Sequence, residues 1–481
     1  MTILVLGATG YVGGRLVPGL LERGHRVRCL TRDPLKVSAR PWSDRVEIVP
    51  GDVLSIDSLR PAMDGVDVVY YLVHSMAAGL AHFESLDRVA AENAAAVAAQ
   101  SNVKRIIYLG GLGRSHEELS PHLRSRHEVG AILRRGSVPV TEFRAAVIVG
   151  SGSLSFEMIH HLVNRLPVMI CPRWVYTRTQ PIGIEDVLTY LAQALDRPET
   201  TGQILDIGGP DIMSYGEMMM SVARLLGLKR KLISVPLLTP RLSSYWINLV
   251  TPLQTVTARA LIDSLRHETV CSDRCARSIF DFEPTGFEQA ALAALGRLDD
   301  GDIETTWIDA SSVVRFTAVD QSHIRIDERD LDVTAPPRVV FDTVSSIGGN
   351  NGWYYADWLW KVRGFVDKQL GGVGLRRGRR HPRHLRVGDA LDFWRVAELE
   401  SGRRLLLRAE MKVWGEAWLE FKVEANGDSG SRLRQTARYY PQGLWGHLYW
   451  YLVYPVHISV FRGLIRAIAR RAEAAAQAPR T

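Results

Sequence analysis

The segment Gly7-Ala8-Thr9-Gly10-Tyr11-Val12-Gly13 follows the apolar run Ile3–Leu6 and opens a helical stretch, and no other feature constrains the chain as strongly. In that setting the first glycine permits a tight turn, the second lets backbone approach a pyrophosphate, and the third lets helix and strand pack closely. The helix then turns its free N–H groups and the positive end of its dipole toward an anion. Such a unit belongs to an open parallel sheet, and the rest of the first 150 residues agrees. Ile3–Leu6, Arg26–Thr31, Val46–Val49, Val66–Val73, Arg105–Leu109 and Val140–Val149 read as strands, and between them lie amphipathic stretches, the longest being His82–Gln100. This alternation implies parallel strands joined by right-handed helical crossovers, an α/β doubly wound sheet.

The second predicted strand ends, 19 residues past Gly13, in Thr31-Arg32 rather than in an acidic residue. A carboxylate there would bond a ribose 2′-hydroxyl, whereas an arginine pairs with a 2′-phosphate. The expected cofactor is therefore NADP(H) in preference to NAD(H), with Asp33 next door keeping the second open. Gly51-Asp52-Val53 ends the third strand at the same sheet edge, where the Asp52 carboxylate and the adjoining amide meet adenine or close a helix-capping turn.

Three regions are expected: a Rossmann core over 1–150, a small second lobe over 151–300, and a different domain over 305–475. In the second lobe helices are predicted over Ser155–Arg165 and Glu185–Arg197, with a strand at Gln203–Ile207. Ser214-Tyr-Gly-Glu217 is a capping box that starts a helix running to Leu226. Beyond Leu298-Asp-Asp-Gly-Asp302 the texture changes to period-two alternation at Leu331–Val333, Ala390–Glu398, Leu405–Val413, Glu416–Glu424 and Ser431–Tyr440. A helix over Ala335–Ser345 and a long last one over Gly446–Ala474 complete an α+β layout, in which a curved sheet wraps the helix around a cavity or a filled core. Trp353, Tyr354, Tyr355, Trp358 and Trp360 line or fill that space.

On the glycine motif, Asp52-Val53, Arg105-Ile-Ile-Tyr-Leu109 and Pro181-Ile-x-x-x-Asp186-Val187, residues 1–300 resemble the extended or atypical short-chain dehydrogenases/reductases. The nearest branch includes the nitrogen-metabolite-repressor-like proteins and the nucleotide-binding accessory subunit of respiratory complex I. The C-terminal part resembles a domain of unknown function fused behind this Rossmann type, itself similar to helix-grip folds of START and polyketide-cyclase-like proteins. The resemblance implies an oxidoreductase moving hydride between NADPH and an apolar carbonyl or quinone-like substrate. It also implies a Tyr with Lys four residues on, one helical turn away, where the ammonium lowers the phenol pKa. None of the fifteen tyrosines has that partner. Where the pair belongs the chain reads His122-Leu-Arg-Ser125-Arg126, which puts His122 in the Tyr place and Arg126 in the Lys place. His122 is then a candidate acid/base, Arg126 a cofactor anchor, and His74, just after the fourth strand, a second acid/base candidate. The alternative is a catalytically silent NADPH-binding module acting structurally or as a redox sensor.

Four cysteines in 481 residues make no disulfide framework, which suits a reducing, cytoplasmic compartment. Neither Cys271-x3-Cys275 nor His160-His161 has partners at metal-site spacing, so no metal is expected. Of the net charge of +7, residues 301–481 contribute +6, from 27 Lys and Arg against 21 Asp and Glu. The densest run, Arg376–Arg386, reads as a solvated loop or an anion-binding one, and no nucleic-acid partner is expected. Trp445, Tyr449, Trp450, Tyr451 and Tyr454 precede Arg462, Arg466 and Arg470, a pattern that suits a cavity-closing helix or peripheral contact with a membrane. No window reaches 18 uninterrupted apolar residues, so a spanning helix is not expected.

Overall fold

The computed structural model describes residues 1–74, 83–113, 119–235, 262–272, 275–299, 305, 324–369, 372–374, 379–381, 384–427, 430–441 and 443–477. The chain divides into two compact units, Met1–Ser311 and Ser312–Thr481.

In the first unit a seven-stranded parallel sheet has the order β3-β2-β1-β4-β5-β6-β11. Its members are β1 (Thr2–Leu6), β2 (Arg26–Thr31), β3 (Glu47–Pro50), β4 (Val68–Tyr71), β5 (Arg105–Gly111), β6 (Val140–Ala145) and β11 (Ile204–Ile207). The crossover helices are α1 (Gly13–Glu22), α2 (Pro34–Ser38), α3 (Ile56–Met63), α4 (Phe83–Gln100) and α5 (Pro121–Arg135). Covered on both faces, the central strand has no alternation, and Ile3, Leu4, Val5 and Leu6 are all fully buried. From β1 the chain builds outward one way to β2 and β3, and from β4 the other way, so the strand order reverses between β1 and β4. A crevice opens at such a reversal, outside the carboxyl ends of the strands.

The second lobe departs from expectation at its start. The predicted strand Val140–Val149 is two strands, because the chain leaves the sheet at Ala145 and resumes as β7 (Ile148–Val149), paired in parallel with β10 (Ile182–Gly183). Two further small pairs follow, β8 (Val168–Pro172) with β13 (Lys231–Val235) and β9 (Arg178–Thr179) with β12 (Met213–Ser214). Helices α6 (Leu154–Arg165), α7 (Ile184–Gln193), α8 (Tyr215–Leu225) and Phe287–Asp299 complete the lobe. Phe156, Ile159, Met218, Met219 and Val222 share its core. The Ser214 box forms at both ends: the Glu217 amide donates to Ser214 Oγ at 3.2 Å, and the Ser214 amide donates to Glu217 Oε2 at 2.7 Å. These contacts satisfy amides that the first helical turn leaves without partners.

The second unit is built on a six-stranded antiparallel sheet ordered β14-β19-β18-β17-β16-β15. The strands are β14 (Arg325–Val333), β15 (Ala390–Leu391), β16 (Trp394–Glu400), β17 (Arg404–Ala409), β18 (Gly415–Asn426) and β19 (Gly430–Pro441). Alternate residues such as Leu405 and Leu407, and Leu419 and Phe421, point to one buried face. Against that face lie Val340, Phe341 and Val344 of helix Pro337–Ser345 and Phe461, Leu464, Ile465 and Ile468 of the terminal helix, Gly443–Gln477. The predicted strand Ala390–Glu398 is broken at Asp392, which takes φ +54° while its carboxylate accepts from the Gly349 amide and the Trp353 indole N–H. A helix at Asp357–Gln369 has no counterpart in the sequence reading, and its Trp358, Val362, Phe365 and Val366 form an apolar stripe that faces outward. The terminal helix continues past Pro455. Of the aromatic run, Trp353 and Trp360 fill the core beside Phe393 and Phe461, while Tyr355 and Trp358 are exposed.

The basic run is not a solvated loop where it is described. Residues 375–378 and 382–383 lie outside the described residues, but Arg379 is drawn inward, and its guanidinium donates to the carbonyls of Ser345, Ile347 and His381. It thereby closes the end of helix Pro337–Ser345, and burial lowers its pKa to about 10. Arg380 pairs with the buried Asp389 at 3.0 Å.

Candidate functional site

The glycine turn occupies the reversal between β1 and β4. Gly7 has φ +96°, and a Cβ there would stand 2.7 Å from the Leu72 carbonyl oxygen at the end of β4. The turn closes through the Gly10 amide donating to the Gly7 carbonyl at 2.9 Å. A Cβ on Gly13 would stand 2.3 Å from that carbonyl oxygen, so the helix can start this close to the strand only with glycine. Helix α1 begins without a side-chain cap and without an acidic residue in its first turn. A turn held to bare backbone, opening onto an uncapped helix start, fits a dinucleotide pyrophosphate, and Gly7, Ala8, Thr9, Gly10, Tyr11, Val12 and Gly13 would hold it. Behind the turn, Arg15 is buried and donates to Thr305 Oγ1 and to the Ser151 carbonyl, while Thr305 Oγ1 donates to the Tyr11 carbonyl.

At the end of β2, Arg32 is exposed. Asp33 is buried and caps α2, its Oδ1 accepting from the Leu35 amide at 3.2 Å. Asp52 Oδ1 accepts from the Leu54 amide at 3.0 Å, and its own amide donates to Ser58 Oγ, so the side chain closes a turn beside β3. The Val53 carbonyl accepts from Asn93 Nδ2.

The acid/base candidates converge. His74, three residues past the end of β4, lies with its ring centroid 5.0 Å from that of His122 on α5. His74 Nδ1 is 3.1 Å from Asp87 Oδ2, which also accepts from Ser125 Oγ at 3.1 Å. Asp87 is 3% exposed, so the imidazole meets a carboxylate shielded from water, and that contact favours the tautomer with the proton on Nδ1. Among the described residues His74 Nε2 is buried with no hydrogen-bond partner, and with the proton on Nδ1 it is the ring's acceptor nitrogen. His122 Nδ1 is within 3.1 Å of Ser264 Oγ. Burial first, and the Arg126 guanidinium second, hold the His74 pKa below the ordinary histidine value, against the pull of Asp87. Burial, then His74, then Arg126 push His122 well below it. Arg126 follows one turn after His122, and its backbone carbonyl accepts from the Tyr108 hydroxyl at 2.8 Å. Burial raises the Tyr108 phenol to about 12.

Asp87, Ser125 and Ser264 complete the cluster without having been singled out in the sequence. Asp87 was findable: it sits on the apolar stripe of α4 with Phe83, Ala90, Ala91 and Ala94, and a carboxylate on such a stripe is buried with a partner. Ser264 approaches from more than 140 residues away and leaves no local signal. Among the described residues no group of three His, Cys, Asp or Glu side chains is placed to hold a metal ion. His161 pairs with Glu157 on its own helix. Cys271 and Cys275 hydrogen-bond to each other, which lowers the pKa of the Cys275 thiol.

Comparison with known proteins agrees with this layout. Residues 7–146 match a family model described as NAD(P)H-binding, and residues 322–464 match one described as a protein of unknown function (DUF2867). The chain is 24% identical over 245 residues to photosystem II assembly factor Ycf39 of Trieres chinensis, covering 51% of this chain and 75% of that one. It is 29% identical over 240 residues to a ceramide reductase of Caulobacter vibrioides, covering 49% and 73%. Among solved structures, a triphenylmethane reductase of Citrobacter sp. superposes with a TM-score of 0.51 at 18% identity, covering 62% of this chain and all of that one. A nucleoside-diphosphate-sugar epimerase of Staphylococcus aureus gives 0.50 at 16%, covering 61% and 100%. At such identities the two structures speak for the fold alone. The chain thus carries an NAD(P)H-binding Rossmann domain whose neighbours are atypical short-chain dehydrogenase-like proteins, and behind it a DUF2867 domain of unknown function.

Proposed function

We propose that the protein is an NADPH-dependent oxidoreductase acting on an apolar carbonyl or quinone-like substrate, in which His74, held by Asp87, handles the proton. The observation that carries this reading is the buried His74–Asp87 pair beside His122, two residues past Leu72, whose carbonyl forms one wall of the glycine turn. When bound, the nicotinamide supplies or accepts hydride. The chain's part is the proton. With Nδ1–H directed at Asp87, His74 Nε2 takes a proton from a hydroxyl during oxidation, and its imidazolium returns one during reduction. Asp87 fixes the ring and stabilises the imidazolium, and Ser125 fixes Asp87. Arg126, whose Nε is buried without a hydrogen-bond partner among the described residues, would anchor the cofactor ribose or a phosphate. Its fixed charge cannot move a proton, so it replaces the binding role of the missing lysine and not its proton chemistry.

One observation favours a second reading, a silent NADPH-binding module: no tyrosine has a lysine four residues on. The two readings separate on one experiment. NADPH deuterated on one face of the nicotinamide is incubated with the full chain and a panel of ketones, quinones and cell extract, and products are searched by mass spectrometry for one added deuterium. Transfer that falls by about 10²–10⁴ in His74→Gln, with NADPH affinity kept, supports the enzyme. NADPH bound at full occupancy with its label intact across the panel leaves the silent module in its place.

A further inference from the structure

We infer that the DUF2867 domain docks onto the surface of an anionic lipid bilayer through its terminal helix and the helix Asp357–Gln369. On the first half of the terminal helix Trp445, Leu448, Tyr451 and Leu452 are 65%, 55%, 64% and 78% exposed. On the other helix Trp358, Val362 and Phe365 are 66%, 53% and 59% exposed. These are large apolar side chains on adjoining surfaces. Arg363 of the second helix donates to the Lys412 carbonyl, and two residues on, the exposed Trp414 lies 5.9 Å from the ring of Tyr449 on the terminal helix. Large apolar side chains exposed on two helices that flank one loop mark an interaction site.

Charge identifies the partner. The terminal helix has no acidic residue before Glu473, and Arg462 and Arg466 are exposed fourteen residues, close to four turns, beyond Leu448 and Leu452. Apolar and basic side chains therefore share one face, with Arg470 a turn further on. Aromatic residues ahead of a basic stripe match the acyl boundary and the anionic headgroups of a bilayer. A second copy facing the same surface would set one arginine stripe against the other with no carboxylate on this helix to pair them.

The helix Trp445–Gln477 has the length and composition to cross a membrane, but its place in the domain forbids it. From Val460 onward Phe461, Leu464, Ile465 and Ile468 are buried in the domain core. Among the described residues of this helix, the exposed large apolar side chains run from Trp445 to Ile458, roughly 21 Å of helix against a hydrocarbon core of roughly 30 Å. The face lies in the interface and does not span it.

The test is flotation of the full chain with vesicles of phosphatidylcholine alone or with a third phosphatidylglycerol, at low and high salt. The three arginines give an expected preference of about a hundredfold for the anionic vesicles, falling with salt. Leu448→Asp with Leu452→Asp abolishes flotation with an unchanged melting curve, because both side chains are already in water. Absence of flotation with either vesicle overturns the inference. A dimer in sedimentation velocity that the same double substitution dissolves would assign the face to a second copy instead. Retention in cell membranes after alkaline carbonate would overturn the peripheral arrangement.

Discussion

At the scale of single residues the proposed proton site turns on which histidine has a partner for its charged form. Asp87 touches His74 and not His122, and both histidines are held neutral at pH 7 by burial. Proton donation in carbonyl reduction needs imidazolium, so the reductive rate should climb as pH falls below about 6.5 toward the lowered His74 value. The oxidative rate needs the free Nε2 and should stay flat from neutral pH upward. Asp87→Asn removes the counter-charge, which lowers the His74 pKa further, and its reductive profile should shift to lower pH while NADPH affinity is kept. A profile that does not move would remove Asp87 from this role. Arg32 poses a separate question of specificity. Replacing it with Ala should cost NADPH about 10- to 100-fold in affinity, the worth of a charge-assisted hydrogen bond, and NADH much less. Equal losses in isothermal titration would sink the 2′-phosphate assignment. Which residues were legible follows from how local their roles are. The glycine turn, His74 and His122 could be named from motif and strand position, since each lies within a few residues of the element that places it. That His74 and His122 meet depends on α4 and α5 packing beside β4 and β5, and Ser264 arrives by a contact no spacing encodes.

At the scale of elements the sequence speaks clearly where one short-range rule decides. Ser214-x-x-Glu217 is such a rule, and both of its hydrogen bonds form. Ser214→Ala should cost about 1 kcal/mol, within the range of about 0.5–2 for a lost N-cap, read by urea unfolding. The rule fails where an element's exposed face is apolar. In Asp357–Gln369 the Trp358, Val362, Phe365 and Val366 spacing reads as a core stripe yet faces outward, while Trp360, Gly364 and Asp367 are the residues turned inward. It fails again where a distant side chain ends a helix. Arg379 reaches back to the carbonyls of Ser345 and Ile347, so a residue that reads as solvated charge is a helix stop. Arg379→Ala strands those acceptors in a buried setting and should destabilise the C-terminal unit by about 1–3 kcal/mol, more than an exposed arginine would. A melting temperature unchanged in that variant would show the cap to be dispensable.

At the scale of the whole molecule the two units have separate apolar cores, one around the parallel sheet and second lobe and one around the antiparallel sheet. A ligand that binds only the folded state stabilises the unit that holds it, by about 2.7 kcal/mol at a hundred times its dissociation constant. In calorimetry NADPH should therefore raise one of two transitions and leave the other in place. Acid should discriminate in the same direction. His74, His122 and His127 in the first unit have folded pKa values below the unfolded one, His127 at about 4. Below about pH 6.5 the unfolded chain takes up protons that these three refuse, so stability is complete above that value and declines as pH falls toward 4. The second unit contributes His457 in the same sense. The NADPH-sensitive transition should thus drop more steeply between pH 6.5 and 4 than the insensitive one. A single cooperative transition that NADPH and acid move as a whole would show that the two cores fold as one.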